Sequence, residues 1–303
     1  MPAAPLPRSV GALVRLGASR FRAARLAFGH GTTSARDEAA WLVLHALGLS
    51  PGAGKAVLDR PVGPRQARRA LALFERRLRT RKPAAYLTRE AWLGDARFYV
   101  DERVVVPRSH IAGLLRENLA PWISDRRSIR SALDLCTGSG CLAVLLAQIF
   151  PAARIDAVDA SPAALAVARI NVRRHRLRRR IRLMQSDLFS ALPRRRYDLI
   201  VANPPYVTAA AMRRLPREYR HEPRLGLAGG RDGLAVVRRI VRRAAAHLNP
   251  GGVLVVEVGS GRRRLERAFP RVPFTWLATP GGETVFLIEA ERLPERRGVI
   301  PAR

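Results

Sequence analysis

Short, mostly apolar runs separated by longer mixed segments mark the second half of the chain. Four of these runs predict buried strands of a largely parallel sheet, because each is short and is followed by a glycine-rich or polar turn: they are residues 131–135, 154–158, 181–185 and 197–202. Two further runs, 274–278 and 284–289, flank Pro280-Gly281-Gly282 and predict a hairpin. The pattern indicates an α/β fold.

The first ninety residues show helical spacing instead. Apolar positions predict one helix over 9–28, ended by Gly29-His30-Gly31, and a second from Thr33 or Ser34 to a stop at Gly48. A third helix is predicted after Pro64, and alternation over 91–106 predicts a hairpin with strands 92–96 and 98–105. The predicted domains are a helical domain over 1–90, a linking hairpin over 91–107, the sheet domain over 108–293 and a flexible tail over 294–303.

Length and composition agree with an enzyme whose domains have hydrophobic cores. The chain has 303 residues, of which 48% are hydrophobic, and no stretch approaches a membrane span. Arg8 and Arg15 interrupt what would have to be an apolar signal region. Without a membrane span, we expect no membrane contact. The two cysteines, Cys136 and Cys141, are too few for a metal site, and a disulfide across a ligand loop would be counterproductive, so we expect no metal and a reducing, cytoplasmic location.

The formal net charge is +31, carried almost entirely by arginine. Runs at 173–174, 178–180 and 194–196 lie in connections between strands. Two interpretations stay open: a nonspecific contact with RNA through its phosphates, or a solvated surface. The runs carry no interleaved aromatic residues for base stacking, which favours the solvated surface.

A glycine-rich turn follows the first predicted strand and opens a helix over 142–150. Its glycines let the backbone approach a ligand closely, and Gly138-x-Gly140-x-x-Ala143 nominally matches the dinucleotide fingerprint. The next strand ends in Asp159, nineteen residues after Gly140. A carboxylate there can accept two ribose hydroxyls, which nicotinamide cofactors and S-adenosyl-L-methionine both present. The first two strands therefore do not distinguish a nicotinamide cofactor from S-adenosyl-L-methionine.

The third and fourth strands narrow the choice. Asp187 and Leu188 follow the third, where a carboxylate and an apolar surface would suit an adenine, and Asn203 follows the fourth. Ligands of open α/β sheets bind at the carboxyl ends of the strands. An NAD enzyme would not need Asn-Pro-Pro-Tyr after its fourth strand. The residues at the four strand ends, taken together, therefore favour S-adenosyl-L-methionine as the cofactor.

Asn203-Pro204-Pro205-Tyr206 suits the methylation of a planar nitrogen, which is a poor nucleophile because its lone pair is delocalised. The Asn203 side-chain carbonyl can accept a hydrogen bond from one substrate N–H, and a backbone carbonyl of the rigid Pro-Pro segment can accept from the other. Tyr206 is expected to lie against the planar group. The alternative is a strand that simply ends in a proline turn.

Over nearly its whole length the chain resembles the HemK/Prm group of protein-glutamine methyltransferases. The motifs shared with the group are 134–140, Asp159, 186–189 and 203–206. Segments that resemble the type acting on a ribosomal protein are 28–32, 98–103, 106–109 and 215–223. His110, Gly113 and Arg89 depart from the expected pattern, which bears on substrate fit.

The resemblance implies a Rossmann-like, seven-stranded S-adenosylmethionine-dependent methyltransferase domain preceded by a small helical substrate-recognition domain. It implies N5-methylation of a glutamine side-chain amide in a large-subunit (50S) ribosomal protein of the uL3 type. The cofactor-binding residues implied are Asp134, Cys136, Thr137, Gly138, Ser139, Gly140, Asp159, Asp187, Leu188 and Asn203. The catalytic residues implied are Asn203, Pro204, Pro205 and Tyr206.

Three rival functions stay open. A nucleic-acid methyltransferase for exocyclic adenine or guanine amines shares the Asn-Pro-Pro-Tyr motif, although such an enzyme must reach a stacked base. A glutamine methyltransferase of peptide chain release factors differs in the segment near Arg108 and Ser109. A basic ribosome-assembly factor without turnover would not need Asn203 and Asp159.

Overall fold

A computed structural model describes residues 6–50, 52–192 and 195–294. The chain forms two compact units. Unit 1 takes Met1–Ala91, Val100–Glu102 and Leu215–His221; unit 2 takes Trp92–Tyr99, Arg103–Arg214 and Glu222–Arg303. The predicted domain limits stay a prediction, and the predicted tail lies outside the described residues apart from Pro294. Among described residues, no helix is long and apolar enough to cross a membrane.

Unit 1 is helical. Its helices are α1 (Val10–Ala23), α2 (Ala35–Leu47), α3 (Pro64–Thr80) and α4 (Ala84–Thr88). The Ser34 hydroxyl accepts a hydrogen bond from the backbone N–H of Asp37 at 3.1 Å and so caps α2, and left-handed Gly48 ends it. These bounds confirm the second and third predicted helices.

Close packing between helices forms the core of unit 1. Phe21 of α1 meets Phe74 of α3 edge-on, with ring centroids 5.4 Å apart. Gly17 provides the room, since a Cβ there would lie 2.6 Å from the Phe74 ring and 3.0 Å from Ala39 of α2. Any larger residue at Gly17 would therefore push the three helices apart.

Two backbone positions of unit 1 differ from expectation. The first helix ends at Ala23, five residues before the predicted limit, because Arg25 turns into the left-handed region with φ of 48°. The Arg81 guanidinium donates to the carbonyls of Ala24 and Arg25 at 3.3 and 2.9 Å and holds this turn. Arg89, where the resemblance predicts glycine, ends α4 with φ of 54°.

Unit 2 contains a seven-stranded sheet, as predicted. Its strands are β3 (Ser131–Leu135), β4 (Arg154–Asp159), β5 (Ile181–Gln185), β6 (Tyr197–Ala202), β7 (Leu248–Glu257), β8 (Thr275–Leu277) and β9 (Val285–Glu289). They lie in the order β5-β4-β3-β6-β7-β9-β8. The first five are parallel, and β9 and β8 form the predicted antiparallel hairpin.

Helices of unit 2 cover both faces of this sheet. They are α5 (Ile111–Arg116), α6 (Cys141–Ile149), α7 (Pro162–Arg174), α8 (Ala209–Arg214), α9 (Ala235–Ala244) and α10 (Arg262–Ala268). Alternate strand residues point to opposite faces, so Leu199 and Val201 join the core with α5 and α6 while Ile200 joins the core with α9. Burial on both faces explains why the central strands are continuous apolar runs.

The linking hairpin is shorter than predicted. Its strands are β1 (Ala91–Leu93) and β2 (Ala96–Phe98), in place of the predicted 92–96 and 98–105. The turn lies at Gly94-Asp95, where Gly94 has φ of 62°. Glycine supplies this backbone conformation without strain, so the dipeptide rather than the alternation fixes the register.

Three arginines of the predicted solvated runs bond to the fold. Arg195 pairs with Asp156 at 3.3 Å, and Arg196 donates to the Leu248 carbonyl at 3.0 Å. The Arg180 guanidinium donates to the carbonyls of Ala147, Phe150 and Ala153 at 2.7, 2.6 and 2.7 Å. These carbonyls lie at and beyond the last turn of α6, where backbone acceptors lack helical partners. Arg173, Arg178 and Arg179 are exposed, as predicted for a solvated surface, and Arg194 lies outside the described residues.

Candidate active site

The carboxyl ends of four parallel strands meet at one edge of the sheet. Leu135 lies opposite both Val158 and Ala202, and Ala202 lies opposite Val256. The residues that follow or end these strands are therefore neighbours: Cys136, Asp159, Asn203 and Glu257. Since the chain reverses its strand order between β3 and β6, this edge is where ligands of such sheets bind.

The glycine turn after β3 takes an unusual backbone path. Cys136, Gly138 and Gly140 all have positive φ, at 58°, 54° and 78°. Gly140 is also close to Ala168 of α7, since a Cβ there would lie 3.1 Å from the alanine Cβ. At Gly138, by contrast, a Cβ would meet no side chain within 4 Å. The turn thus packs tightly on one side and presents bare backbone at Gly138.

Asp134 lies fully buried beneath this turn. Its Oδ2 accepts hydrogen bonds from the Thr137 hydroxyl at 2.5 Å and from the backbone N–H of Ala143 at 3.0 Å. Its Oδ1 has no hydrogen-bond partner among the residues that the structure describes. Burial raises the pKa of Asp134 to about 7, although the two hydrogen bonds lower it. A buried oxygen without a donor fits a cationic or N–H group of a bound ligand.

Asp159, at the end of β4, holds the same turn from the other side. Its Oδ2 accepts from the backbone N–H of Gly138 at 2.8 Å and its Oδ1 from that of Ser161 at 2.9 Å. Burial raises the pKa of this carboxyl against the effect of these bonds. A carboxylate offers about four acceptor positions, so capacity for two further donors remains.

Asp187 and Leu188 lie beyond β5 and differ from each other. The Asp187 side chain is exposed and pairs with Arg239 of α9 at 2.7 Å. Leu188 is buried in the core on the α9 face and has φ of 54°. Its side chain therefore packs inside the protein, and the adenine roles of both residues stay predictions.

Asn203 directly follows β6 and is partly buried. Its side-chain amide makes no hydrogen bond to any residue in the described parts of the chain, 6–50, 52–192 and 195–294. Pro204 next to it is buried, whereas Pro205 and Tyr206 are partly buried. The site therefore presents an amide carbonyl whose acceptor capacity is not used by the fold.

Glycines surround the backbone that follows Asn203. A Cβ at Gly229 would lie 2.8 Å from the Pro205 carbonyl oxygen and 2.7 Å from the Tyr206 Cα, and one at Gly233 would collide with the Tyr206 carbonyl. At Gly259, a Cβ would lie 2.8 Å from the Tyr206 ring. Only glycine permits these approaches, so the three glycines fix the path of the Pro-Pro-Tyr segment.

Glu257, which sequence analysis missed, anchors the tyrosine of this segment. Its Oε1 accepts from the Tyr206 hydroxyl at 3.1 Å, and its Oε2 accepts from the Ser109 hydroxyl at 2.7 Å and the His110 backbone N–H at 2.9 Å. Burial raises the pKa of Glu257, opposed by these bonds. The signal in the sequence is the apolar run 253–256 that ends in a glutamate.

Glu222 is the second missed carboxylate. It accepts two hydrogen bonds from the Arg108 guanidinium, at 2.6 and 2.7 Å, and one from the backbone N–H of Val106 at 3.0 Å. Bidentate pairs of this kind add geometric precision. Arg108 and Glu222 belong to two of the four segments that resemble the ribosomal-protein type, 106–109 and 215–223, so these two segments contact each other through this pair.

The two cysteines are free thiols. Burial raises the pKa of Cys136 well above its usual range and that of Cys141 to about 12. Both thiols therefore stay neutral at physiological pH and are poor nucleophiles.

Comparison with known proteins shows the class of enzyme to which this fold and site belong. The family model described as "Methyltransferase small domain" matches residues 114–215, and the model described as "PrmC N-terminal domain" matches residues 13–88. The seven-stranded sheet with its antiparallel end, the glycine turn and the matched family model define a class I S-adenosylmethionine-dependent methyltransferase. S-adenosyl-L-methionine is the methyl donor, and the unpaired buried oxygen of Asp134 and the bare backbone at Gly138 fit such a ligand.

Curated relatives give the family. "Ribosomal protein uL3 glutamine methyltransferase" of Burkholderia pseudomallei is 50% identical over 307 residues, covering 98% of this chain and 100% of that protein. Its namesake in Bordetella pertussis is 52% identical, covering 93% and 95%. The chain therefore belongs to the ribosomal protein uL3 glutamine methyltransferase family. Among solved structures, the hMettl16 catalytic domain with a MAT2A 3'UTR hairpin aligns at 16% identity and a TM-score of 0.48, covering 76% of this chain and 83% of that chain.

Proposed function

We propose that this enzyme transfers a methyl group from S-adenosyl-L-methionine to the side-chain amide nitrogen of a glutamine in ribosomal protein uL3. The observation that carries the proposal is Asn203, whose amide is unpaired among described residues and whose neighbours are fixed by glycine contacts. The relatives, named as uL3 glutamine methyltransferases at about half identity, support the substrate.

The residues of the chain bind and orient the glutamine amide. The Asn203 side-chain carbonyl accepts a hydrogen bond from one amide N–H, and the Pro204 backbone carbonyl accepts from the other. Both acceptors stabilise the positive charge that grows on nitrogen, because they are fixed before the reaction begins. Tyr206, anchored through Glu257, lies against the planar amide. S-adenosyl-L-methionine supplies the electrophilic methyl group, and the alkylated amide is acidic enough to lose its proton to water.

The cofactor is held by the loops at the same edge. The turn from Cys136 to Gly140 lines its methionine part, with the unpaired Oδ1 of Asp134 available to its ammonium group. Asp159 accepts from the ribose hydroxyls. Asp187 and Leu188 flank the adenine. Unit 1 serves as the substrate-recognition part, and the reaction takes place in the cytoplasm.

Replacing Asp159 by alanine should weaken S-adenosyl-L-methionine binding roughly tenfold to a hundredfold. Loss of a hydrogen bond to a charged group costs about 1.5–3 kcal/mol, and the alanine also frees the Gly138 N–H that the carboxylate holds. Isothermal titration calorimetry measures the change. Asp125→Ala, at an exposed turn, is the matched control and should bind normally; unchanged affinity in Asp159→Ala would remove Asp159 from the cofactor site.

The substrate is tested by tritiated-methyl transfer to three substrates in parallel: isolated uL3, a release factor and nucleic acid. We expect label in uL3, confined to a glutamine side chain by mass spectrometry, because a protein loop can present an amide without the unstacking that a base requires. Label in nucleic acid alone would overturn the protein substrate. Preferential label in the release factor would move the assignment to the other type within the group.

A nonspecific contact with ribosomal RNA is the remaining part of this proposal. It is supported by the formal net charge of +31, which favours polyanions at low and moderate salt.

A further inference from the structure

Helix α3 of unit 1 carries five arginines on one face. At 100° per residue they fall within an arc of about 100°, with Ala72 in the middle of the arc. The five arginines are Arg65, Arg68, Arg69, Arg76 and Arg79, and all are exposed. The opposite face packs into the core of unit 1 through Ala67, Ala70 and Phe74. We call the five residues the α3 arginine face.

The α3 arginine face has no counter-charge in the structure. None of the five side chains forms an ion pair with any residue inside the described ranges. Other arginines are engaged: Arg77 pairs with Glu38, Arg239 with Asp187, and Arg180 binds three carbonyls. The only acidic residue of α3, Glu75, pairs with Arg20 of α1 at 2.6 Å. The face is therefore a continuous band of unneutralised charge.

The part of the sequence that contains α3 is also strongly basic. Residues 1–91 hold 17 arginines and lysines against 5 aspartates and glutamates. Fourteen residues separate the first and last arginine of the face, which corresponds to about 21 Å along a helix. Neighbouring members three or four residues apart lie roughly 5–6 Å from each other. Arginines along such a band can contact an extended array of phosphates at several points.

We propose that the α3 arginine face binds the phosphate backbone of RNA. Each guanidinium presents a planar fork that matches a phosphate bidentately, and the face offers no exposed aromatic residue that would read bases. It also lacks the exposed large apolar residues with which an interfacial helix enters a membrane. Binding is therefore electrostatic and independent of sequence. The choice of RNA over DNA rests on the proposed function, since a ribosomal protein is assembled on RNA.

The test compares two triple variants with the same change in charge. Arg68→Gln/Arg69→Gln/Arg76→Gln removes the middle of the α3 arginine face. Arg173→Gln/Arg178→Gln/Arg179→Gln removes three exposed arginines of unit 2 and is the matched control. Fluorescence anisotropy with a labelled RNA hairpin, at several salt concentrations, gives both the affinity and its salt dependence.

We expect the α3 variant to lose on the order of tenfold to a hundredfold in RNA affinity at 0.1 M salt. Each phosphate contact contributes about 0.7–0.9 to the slope of log affinity against log salt, so the slope should fall in magnitude by about 2. The control should keep the affinity of the parent within about twofold. Both variants should keep the thermal midpoint of the parent, which shows that each folds normally.

Three results would overturn the proposal. An equal loss in the control would show that RNA responds to total charge rather than to α3. An unchanged affinity in the α3 variant would exclude the face. Tighter, α3-dependent binding of polyglutamate or duplex DNA than of the RNA hairpin would assign the face to another polyanion. Since RNA binding is measured without methyl transfer, failure of the proposed glutamine substrate would be seen separately.

Discussion

Asn203→Ala should lower the rate of methyl transfer by about two to three orders of magnitude while leaving cofactor affinity nearly unchanged. The variant removes one preorganised acceptor from the charge that develops on the amide nitrogen, an effect of the size seen when one oxyanion-hole donor is lost. Its side chain makes no hydrogen bond within the described residues, so its removal should cost the fold little. Single-turnover rates with saturating S-adenosyl-L-methionine and isolated uL3 give the chemical step directly.

Asn249→Ala provides the control for this variant. Asn249 lies at the opposite edge of the same sheet, where its Nδ2 donates to Asp198 at 2.6 Å. It should react at the parent rate once correctly folded. A parallel collapse of cofactor affinity and rate in Asn203→Ala would make Asn203 chiefly a cofactor ligand, and the amide-holding argument would fail.

Arg77→Met should destabilise unit 1 by about 3–5 kcal/mol. Arg77 and Glu38 are both fully buried, and the Arg77 Nε donates to the Glu38 Oε1 at 2.6 Å. Methionine fills similar space but leaves the Glu38 carboxylate buried, with the Thr32 hydroxyl, at 3.2 Å, as its remaining side-chain donor among the described residues. An unpaired buried charge is the expensive outcome of breaking such a pair. Urea unfolding followed by circular dichroism measures the loss.

The adjacent residue supplies a matched control. Arg76→Met removes the same charge one position earlier on α3, but Arg76 is exposed, so the change should stay within about 0.5 kcal/mol. If both variants unfold at the same urea concentration, the buried pair contributes nothing net. A Glu38→Gln/Arg77→Met double variant more stable than Arg77→Met alone would identify the stranded charge as the cause.

The central strands could be predicted residue by residue because their environment leaves little freedom. The central strands Ser131–Leu135 and Tyr197–Ala202 match the predicted runs fully, as does the edge strand Ile181–Gln185. The short α5 and β2 could not be predicted in the same way, since six and three residues carry too little periodicity. The turn of α5 depends on Ser109 and Glu257, which lie 148 residues apart in sequence.

The candidate site was predictable where each residue follows a strong strand. Asp159 and Asn203 belong to this class, because a strand end fixes the edge at which the next side chain lies. Glu257 also ends a strand, but its importance lies in contacts with Tyr206 and Ser109 that only the folded chain brings together. The pairing of Asp187 with Arg239 likewise depends on where α9 packs.

Unit 1 is built from separate segments of the chain, so its parts are synthesised at different times on the ribosome. Residues Leu215–His221 belong to this unit, and within them the buried Glu218 accepts from the Arg81 guanidinium at 2.9 Å. The nascent helices α1 to α4 emerge long before this glutamate exists, so the unit cannot reach its final form while they are the only part released. It is completed only after β3 to β6 have also been translated, so Arg81 waits for a partner that is made 137 residues later.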